Sequence, residues 1–324
     1  MPLCMITKWI LMIEENMNRI ATYKNGNTWT TIYEDGTKEH FTLDDEFNFE
    51  FPESHDISIS QCCDNGCEWC YYGCSPTGKH GKLTGWYFFE TMRPYTEIAI
   101  NIQHPIHPQL ISFLKDMKKR KIIVNATINQ NHFMSDSYTY PGTNERLIYG
   151  LVKRGLVNGI GISLTDPRQD HFIEAVKLYP NAVIHVIAGI TPWEDIQYLM
   201  RRGLKLLILG YKKTGRGKKY YDGLFIPIIT QMKYLEGGLD EILNGFKVVS
   251  FDNLAIEQLH IKDKLSDKEW EMFYGGDDGT VTFFIDLVKG VFARNSLSQI
   301  TYPIGDKTID EMFAIIKEEV ANGE

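Results

Sequence analysis

Six short runs limit the folds open to this chain: "EIAINI" at 97–102, "IIVNATI" at 122–128, "GIGISL" at 159–164, "AVIHVIAG" at 182–189, "LKLLILG" at 204–210 and "FKVVSF" at 246–251. Most are nearly continuous in apolar residues, the pattern of parallel strands buried on both faces. The gaps between them carry helical signals. Leu110, Phe113, Leu114 and Met117 recur at helical spacing. Asp166-Pro167 reads as an N-cap followed by proline at the first helical position. Thr191-Pro192-Trp193-Glu194 matches a capping box, with Gly203 as the stop. "DISIS", ending at residue 60, supplies a first strand. Strand then helix, six or seven times, predicts a parallel α/β barrel or an open wound sheet.

Both ends depart from this rhythm. Over residues 20–43, "NGN" and "EDG" are turn signals between runs rich in β-formers, and predict a small antiparallel sheet of about three strands. Residues 1–16 read as an extension or an edge strand. Past residue 252, "NLAIEQLHI" and "SDKEWEMFY" read helical, "GGDDGTVTFFIDLVKGVFARN" reads as a β-hairpin turning near Lys289-Gly290, and 308–321 as a closing amphipathic helix. The predicted organisation is an N-terminal β extension at 1–55, a barrel at 56–251, and C-terminal helices with a hairpin at 252–324.

The loop after "DISIS" holds most of the thiols. In "QCCDNGCEWCYYGC", five of the six cysteines fall within residues 62–74. A secreted protein staples distant segments, whereas this chain gathers its thiols in one loop, as a reduced, cytoplasmic metal site does. Four explanations compete. Four-cysteine zinc sites pair two C-x2-C units across a longer loop, and here the thiols are crowded together. A redox C-x2-C, Cys67 to Cys70, leaves Cys63 unexplained. Chance clustering accounts for no part of the spacing. An iron–sulfur cluster held by three thiolates from one loop accounts for C-x3-C-x2-C at Cys63, Cys67 and Cys70. Cys67, Cys70 and Cys74 form a second spacing in the reverse order.

Bulk properties restrict the partners. With 34 basic against 42 acidic side chains the net charge is −8, which argues against bulk electrostatic binding of nucleic acid but leaves room for a local basic patch. No run approaches the ~20 apolar residues of a membrane span, so no membrane partner is expected. The opening "MPLCMITKWILMI" is apolar but short, with one lysine and no small-residue cleavage site.

The cysteine motif resembles that of the radical S-adenosylmethionine (radical SAM) superfamily. Cys63, Cys67 and Cys70 match it in order, Trp69 stands where that superfamily usually has an aromatic residue against the adenine, and Tyr71 follows the last ligand as is common there. The resemblance therefore favours Cys63 over Cys74. It implies a partial (β/α)6-type parallel barrel, carrying here the small antiparallel β-sheet before it and the α+β appendage after it. It also implies a [4Fe-4S] cluster whose open iron binds S-adenosyl-L-methionine, reductive cleavage to a 5′-deoxyadenosyl radical, and an external electron donor such as flavodoxin or ferredoxin. The substrate stays open between peptide or protein and nucleotide or nucleic acid. The rival from another class is a non-enzymatic protein with structural zinc or a sensing Fe–S site.

In such barrels the site lies at the C-terminal ends of the strands. Where the superfamily often has Gly-Gly-Glu-Pro, this chain has Asn101, Gln103, His104 and Pro105, so amide oxygens of Asn101 or Gln103 replace the carboxylate toward the SAM ammonium. Ser163 resembles the residue that contacts the ribose, and Gly189 lies where the backbone approaches adenine. Asn129, at the end of strand three, faces cofactor or substrate. Each of these also has a plain reading, as a loop, turn or backbone contact. The stretch "GYKKTGRGKKYY", 210–221, reads as a mobile loop that grips an anionic substrate through Lys212, Lys213 and Arg216, or as a solvated basic loop. Cys62 and Cys74 read as packing cysteines or as a donor in later chemistry. No second cysteine cluster follows, so no auxiliary cluster is expected.

Overall fold

The computed structural model describes residues 18–323. The expected extension or edge strand at 1–16 lies outside the described residues. The chain divides into two compact units, one up to Phe51 and one from Pro52 onward.

In the first unit, β1 (Arg19–Asn25), β2 (Thr28–Tyr33) and β3 (Lys38–Phe41) form an antiparallel sheet in that order. The turn between β1 and β2 is held from behind. Asn25 is fully buried, and its Oδ1 accepts from the Glu50 and Phe51 amides at 2.9 and 3.0 Å. Gly26 takes φ +62° with the Asn48 carbonyl where a Cβ would sit, so only glycine fits.

The second unit is built on one ten-stranded sheet. Its strands are β4 (Ser54–Ser58), β5 (Glu97–Ile102), β6 (Ile123–Asn129), β7 (Gly159–Ser163), β8 (Ala182–Ile187), β9 (Lys205–Leu209), β10 (Val248–Phe251), β11 (Thr282–Asp286), β12 (Val291–Ala293) and β13 (Tyr302–Pro303). The order is β10-β9-β8-β7-β6-β5-β4-β11-β12-β13, parallel from β10 through β11 and antiparallel beyond. All seven strands expected from the first strand to "FKVVSF" are present. An eighth, β11, comes from the expected hairpin: it pairs antiparallel with β12 and parallel with β4. Gly290, at φ +72°, makes the hairpin turn, and buried Asp286 accepts from the Val288 and Lys289 amides.

Helices fill the crossovers. They are α1 (Phe88–Thr91), α2 (Leu110–Lys119), α3 (Gln130–Met134), α4 (Leu147–Lys153), α5 (Phe172–Lys177) and α6 (Trp193–Leu199). Then come α7 (Gly215–Gly223), α8 (Phe225–Gly237), α9 (Leu239–Gly245), α10 (Asn253–Gln258), α11 (Asp267–Phe273) and α12 (Ile309–Ala321). Helix α2 buries Leu110, Phe113, Leu114 and Met117, as their spacing predicts. Two expected helix starts fall elsewhere. Asp166 accepts from the Arg168 amide in a local turn, and α5 begins only after His171, which has φ +60°. Thr191 caps nothing: its hydroxyl accepts from the Ile187 amide, and α6 follows Pro192. No described helix is long and apolar enough to cross a membrane.

The strands alternate rather than being buried on both faces. Ile98, Ile100 and Ile102, Ile160 and Ile162, Ile184 and Val186, and Leu206 and Ile208 are all buried on one face. The other face carries Asp56, Asn101, Thr127, Ser163 and His185, all but Asp56 half open to water. That face is concave. Lys212, just past β9, donates to Ser296, just past β12, at 2.9 Å, and Asn253 past β10 donates to Asp278 before β11 at 2.8 Å. Strands that stand far apart in the sheet order are thus brought together by curling. Among the described residues no ladder joins β10 to β11.

Candidate cofactor site at the cysteine loop

Past β4 the chain leaves the C-terminal edge of the sheet and folds back on itself. The Cys63 amide donates to the Ser75 carbonyl at 2.9 Å, and Cys62 and Ser75 form an isolated bridge. Gly66 and Gly73, at φ +69° and +70°, make the two reversals inside. The Cys70 amide donates to the Cys67 carbonyl at 3.3 Å, so these two cysteines bracket one tight turn.

Five cysteines are described and all are free thiols. Cys62 and Cys74 are buried, whereas Cys63, Cys67 and Cys70 are half-buried. Asn65 Nδ2 donates to Cys67 Sγ at 2.8 Å. Cys74 hydrogen-bonds to Cys70, which favours the Cys70 thiolate and keeps Cys74 protonated. Burial pushes the Cys63 and Cys67 thiols up, and Cys63 also senses charge on Cys67 and Cys70. Among the described residues, no three His, Cys, Asp or Glu side chains converge on a point that one metal ion would occupy.

Neighbouring elements grip this loop from two sides. On one side, Asp64 holds two histidines: its Oδ2 lies 2.5 Å from His104 Nδ1, after β5, and its Oδ1 lies 2.8 Å from His132 Nε2, on α3. Burial works to raise the Asp64 carboxyl, but the two histidines outweigh it and hold it down. Asn131 Nδ2 adds a bond to Asn65 Oδ1 at 3.0 Å.

On the other side stands the basic stretch after β9. It is not a free loop: Gly215–Gly223 is helix α7, whose first turn lies on the cysteine loop. The Arg216 amide donates to the Cys70 carbonyl at 3.0 Å; its side chain donates to the Cys67 carbonyl at 3.0 Å and the Cys74 carbonyl at 2.5 Å. Thr214 Oγ1 donates to the Tyr71 carbonyl at 3.1 Å. The fit depends on small residues. A Cβ on Gly215 would lie 2.4 Å from Tyr71 O, and one on Gly217 would lie 2.6 Å from Lys212 O. Lys212 lies over the Tyr71 ring and Lys213 over the Tyr221 ring, 4.5 and 3.9 Å from the centroids. Lys218 and Lys219 are exposed.

The residues expected to meet SAM are placed as follows. Trp69 is half-buried and packs edge-on against Tyr220 of α7, 5.8 Å between centroids. Asn101 Oδ1 accepts from the Ile59 amide at 3.1 Å while its Nδ2 donates to the Ser60 carbonyl at 3.2 Å, tying β5 to the start of the loop. The Gln103 amide lies 3.4 Å from Cys74 Sγ. Both amides thus face the loop backbone and its thiols. Asn129 caps α3 by accepting from the Asn131 amide at 2.8 Å. Ser163 lies beside His185 in the β7–β8 register, on the concave face. Gly189 has φ +84°, and its missing side chain makes room for Ile228 of α8, 2.6 Å from where a Cβ would be.

Sequence reasoning did not single out Asp56, His132 or His185, nor give Asp64 a role. Asp56 and Tyr71 are open to water yet ringed by protein, so burial raises both, with the Lys212 ammonium opposing. His185 lies on the same concave face, and burial holds its imidazole down at about 4. A signal was available for His185, the single polar residue of the run AVIHVI, but not for Asp56, whose strand SHDIS is mostly polar.

No family profile matches the chain, and no curated protein is similar to it. Among solved structures, an α-L-fucosidase, AlfC from Lactobacillus casei in complex with its α-L-fucose product, is similar at 8% identity and a TM-score of 0.21, over 68% of this chain and 97% of that one. A likeness that distant carries no argument about function.

Proposed function

We propose that this chain is a radical SAM enzyme acting on a polar small molecule or side chain that enters the concave face of the sheet. One observation carries the reading. Cys63, Cys67 and Cys70 are half-buried thiols in a single loop at the C-terminal edge of parallel strands, while Cys62 and Cys74 are buried in packing. The greater exposure of Cys63 supports the set that starts there.

Eight parallel strands and the curl of the sheet support an open βα barrel with that loop at its mouth. Cys63, Cys67 and Cys70 would hold a [4Fe-4S] cluster. When bound with SAM, that cluster supplies one-electron reductive cleavage of the sulfonium and a carbon radical to the substrate. The chain's own residues do the rest. The α7 turn and the Asp64 pair keep the loop in shape, and Trp69 offers an aromatic edge beside the site. Asp56, Ser163 and His185 give the substrate a polar wall, and the Lys212 ammonium beside Tyr71 adds charge at its rim. An external one-electron donor such as ferredoxin or flavodoxin completes the partner set, and free thiols fit a reducing cytoplasm.

The test is anaerobic reconstitution with iron and sulfide, followed by dithionite and SAM. Brown protein that releases 5′-deoxyadenosine is expected, with loss in Cys63→Ala, Cys67→Ala and Cys70→Ala and retention in Cys62→Ala. Colourless protein that retains zinc would overturn the reading. Loss of the colour in Cys74→Ala but not in Cys63→Ala would overturn the ligand set.

A further inference from the structure

We infer that Arg216 is a positioning residue that holds the cysteine loop in its ligand-ready shape before any cofactor arrives. This deepens the cofactor reading above and rests on it for the word ligand, though the clamp itself is a property of the cofactor-free chain.

Arg216 comes from the far end of the fold, 142 residues beyond Cys74 in sequence. Its backbone amide and guanidinium reach three carbonyls, those of Cys67, Cys70 and Cys74. These carbonyls belong to two of the three cysteines assigned as ligands and to the buried cysteine that closes the loop. A guanidinium donates through a rigid planar fork, so bonds to Cys67 O and Cys74 O fix the separation of those two points. Both side-chain bonds are charge-assisted and so stronger than bonds between neutral groups. The approach was prepared in the backbone. Gly215 takes φ +55° with Tyr71 O and Cys70 O at 2.4 and 2.8 Å from the absent Cβ, a conformation and a gap that other residues resist.

The placement also puts a permanent positive charge against the backbone of Cys67 and Cys70. A group bound through the sulfurs of those residues would be easier to reduce beside that charge. Geometry and charge are separable, because lysine keeps the charge but cannot donate to two carbonyls through a planar fork.

Two variants and two measurements decide it. In the cofactor-free chain, hydrogen–deuterium exchange over residues 63–75 should quicken at least about tenfold in both Arg216→Met and Arg216→Lys, with β5 and β7 unchanged. In the reconstituted chain, the midpoint potential followed by electron paramagnetic resonance should fall in Arg216→Met and stay close to wild type in Arg216→Lys. Unchanged exchange in both variants overturns the positioning role, whatever the iron content. Exchange that rises equally across β5 and β7 overturns it too, because the arginine would then serve the whole fold. Should the wild type take up no iron while exchange still rises over 63–75 alone, the cofactor reading fails and the clamp stands.

Discussion

His185 lies over Gly161, on the neighbouring strand: a Cβ on residue 161 would meet the imidazole Cε1 at 2.1 Å. The ring occupies space that only a glycine leaves on the concave face. Gly161→Ala should therefore push the ring aside and destabilise the fold by about 1–3 kcal/mol in urea unfolding. Shortening the ring should restore the space, so Gly161→Ala combined with His185→Ala should lose less than the sum of the two single changes. Strict additivity would show that the two positions do not share that space.

The same ring makes stability depend on pH. Burial lowers the folded-state value of His185 to about 4, against 6.5 for the free side chain. The unfolded chain therefore binds the proton first as pH falls. The contribution is complete above about 6.5, declines as pH drops toward 4, and is fully lost below it, at most about 3 kcal/mol in all. Urea midpoints of wild type and His185→Gln, measured between those limits, should converge toward the acidic end. Parallel curves would rule the ring out as the source.

Gly215→Ala tests the close approach of α7 to the cysteine loop. Its φ of +55° and the 2.4 Å gap to Tyr71 O both resist a side chain. A loss of about 2 kcal/mol in urea is expected, together with a lower iron stoichiometry after reconstitution. Wild-type values for both would show that α7 yields easily.

Phe283 tests how far the C-terminal segment belongs to the main core. It lies on β11, is 1% exposed, and its ring contacts those of His55, Phe292 and Phe313. Phe283→Ala should cost about 3–5 kcal/mol and lower the single transition of the unit that begins at Pro52. A separate early transition, with the rest unmoved, would instead mark residues beyond 252 as an independent body.

The sequence by itself determined the parts whose cause is local. Period and composition placed seven parallel strands, the small antiparallel sheet, α2 and the final helix. Glycine and lysine at 289–290 placed the hairpin turn. The crowding of thiols at 62–74 marked the one segment whose composition packing does not explain. What depends on distant partners was not legible. The Asp166 and Thr191 motifs are consistent with capping, yet each side chain found a nearer backbone donor, and the choice between such bonds is made by the surrounding chain. The alternation of buried and open faces was hidden because Ala, Gly and Val suit either face, and only the curl of the sheet decides which one meets water. The basic stretch at 210–221 reads as a loop, either anion-gripping or solvated, because charge and glycine are all that a linear reading sees there. Tertiary structure turned it into a helix start whose arginine holds Cys67 and Cys74, since carbonyls left unpaired in a folded loop must find a donor wherever the chain brings one.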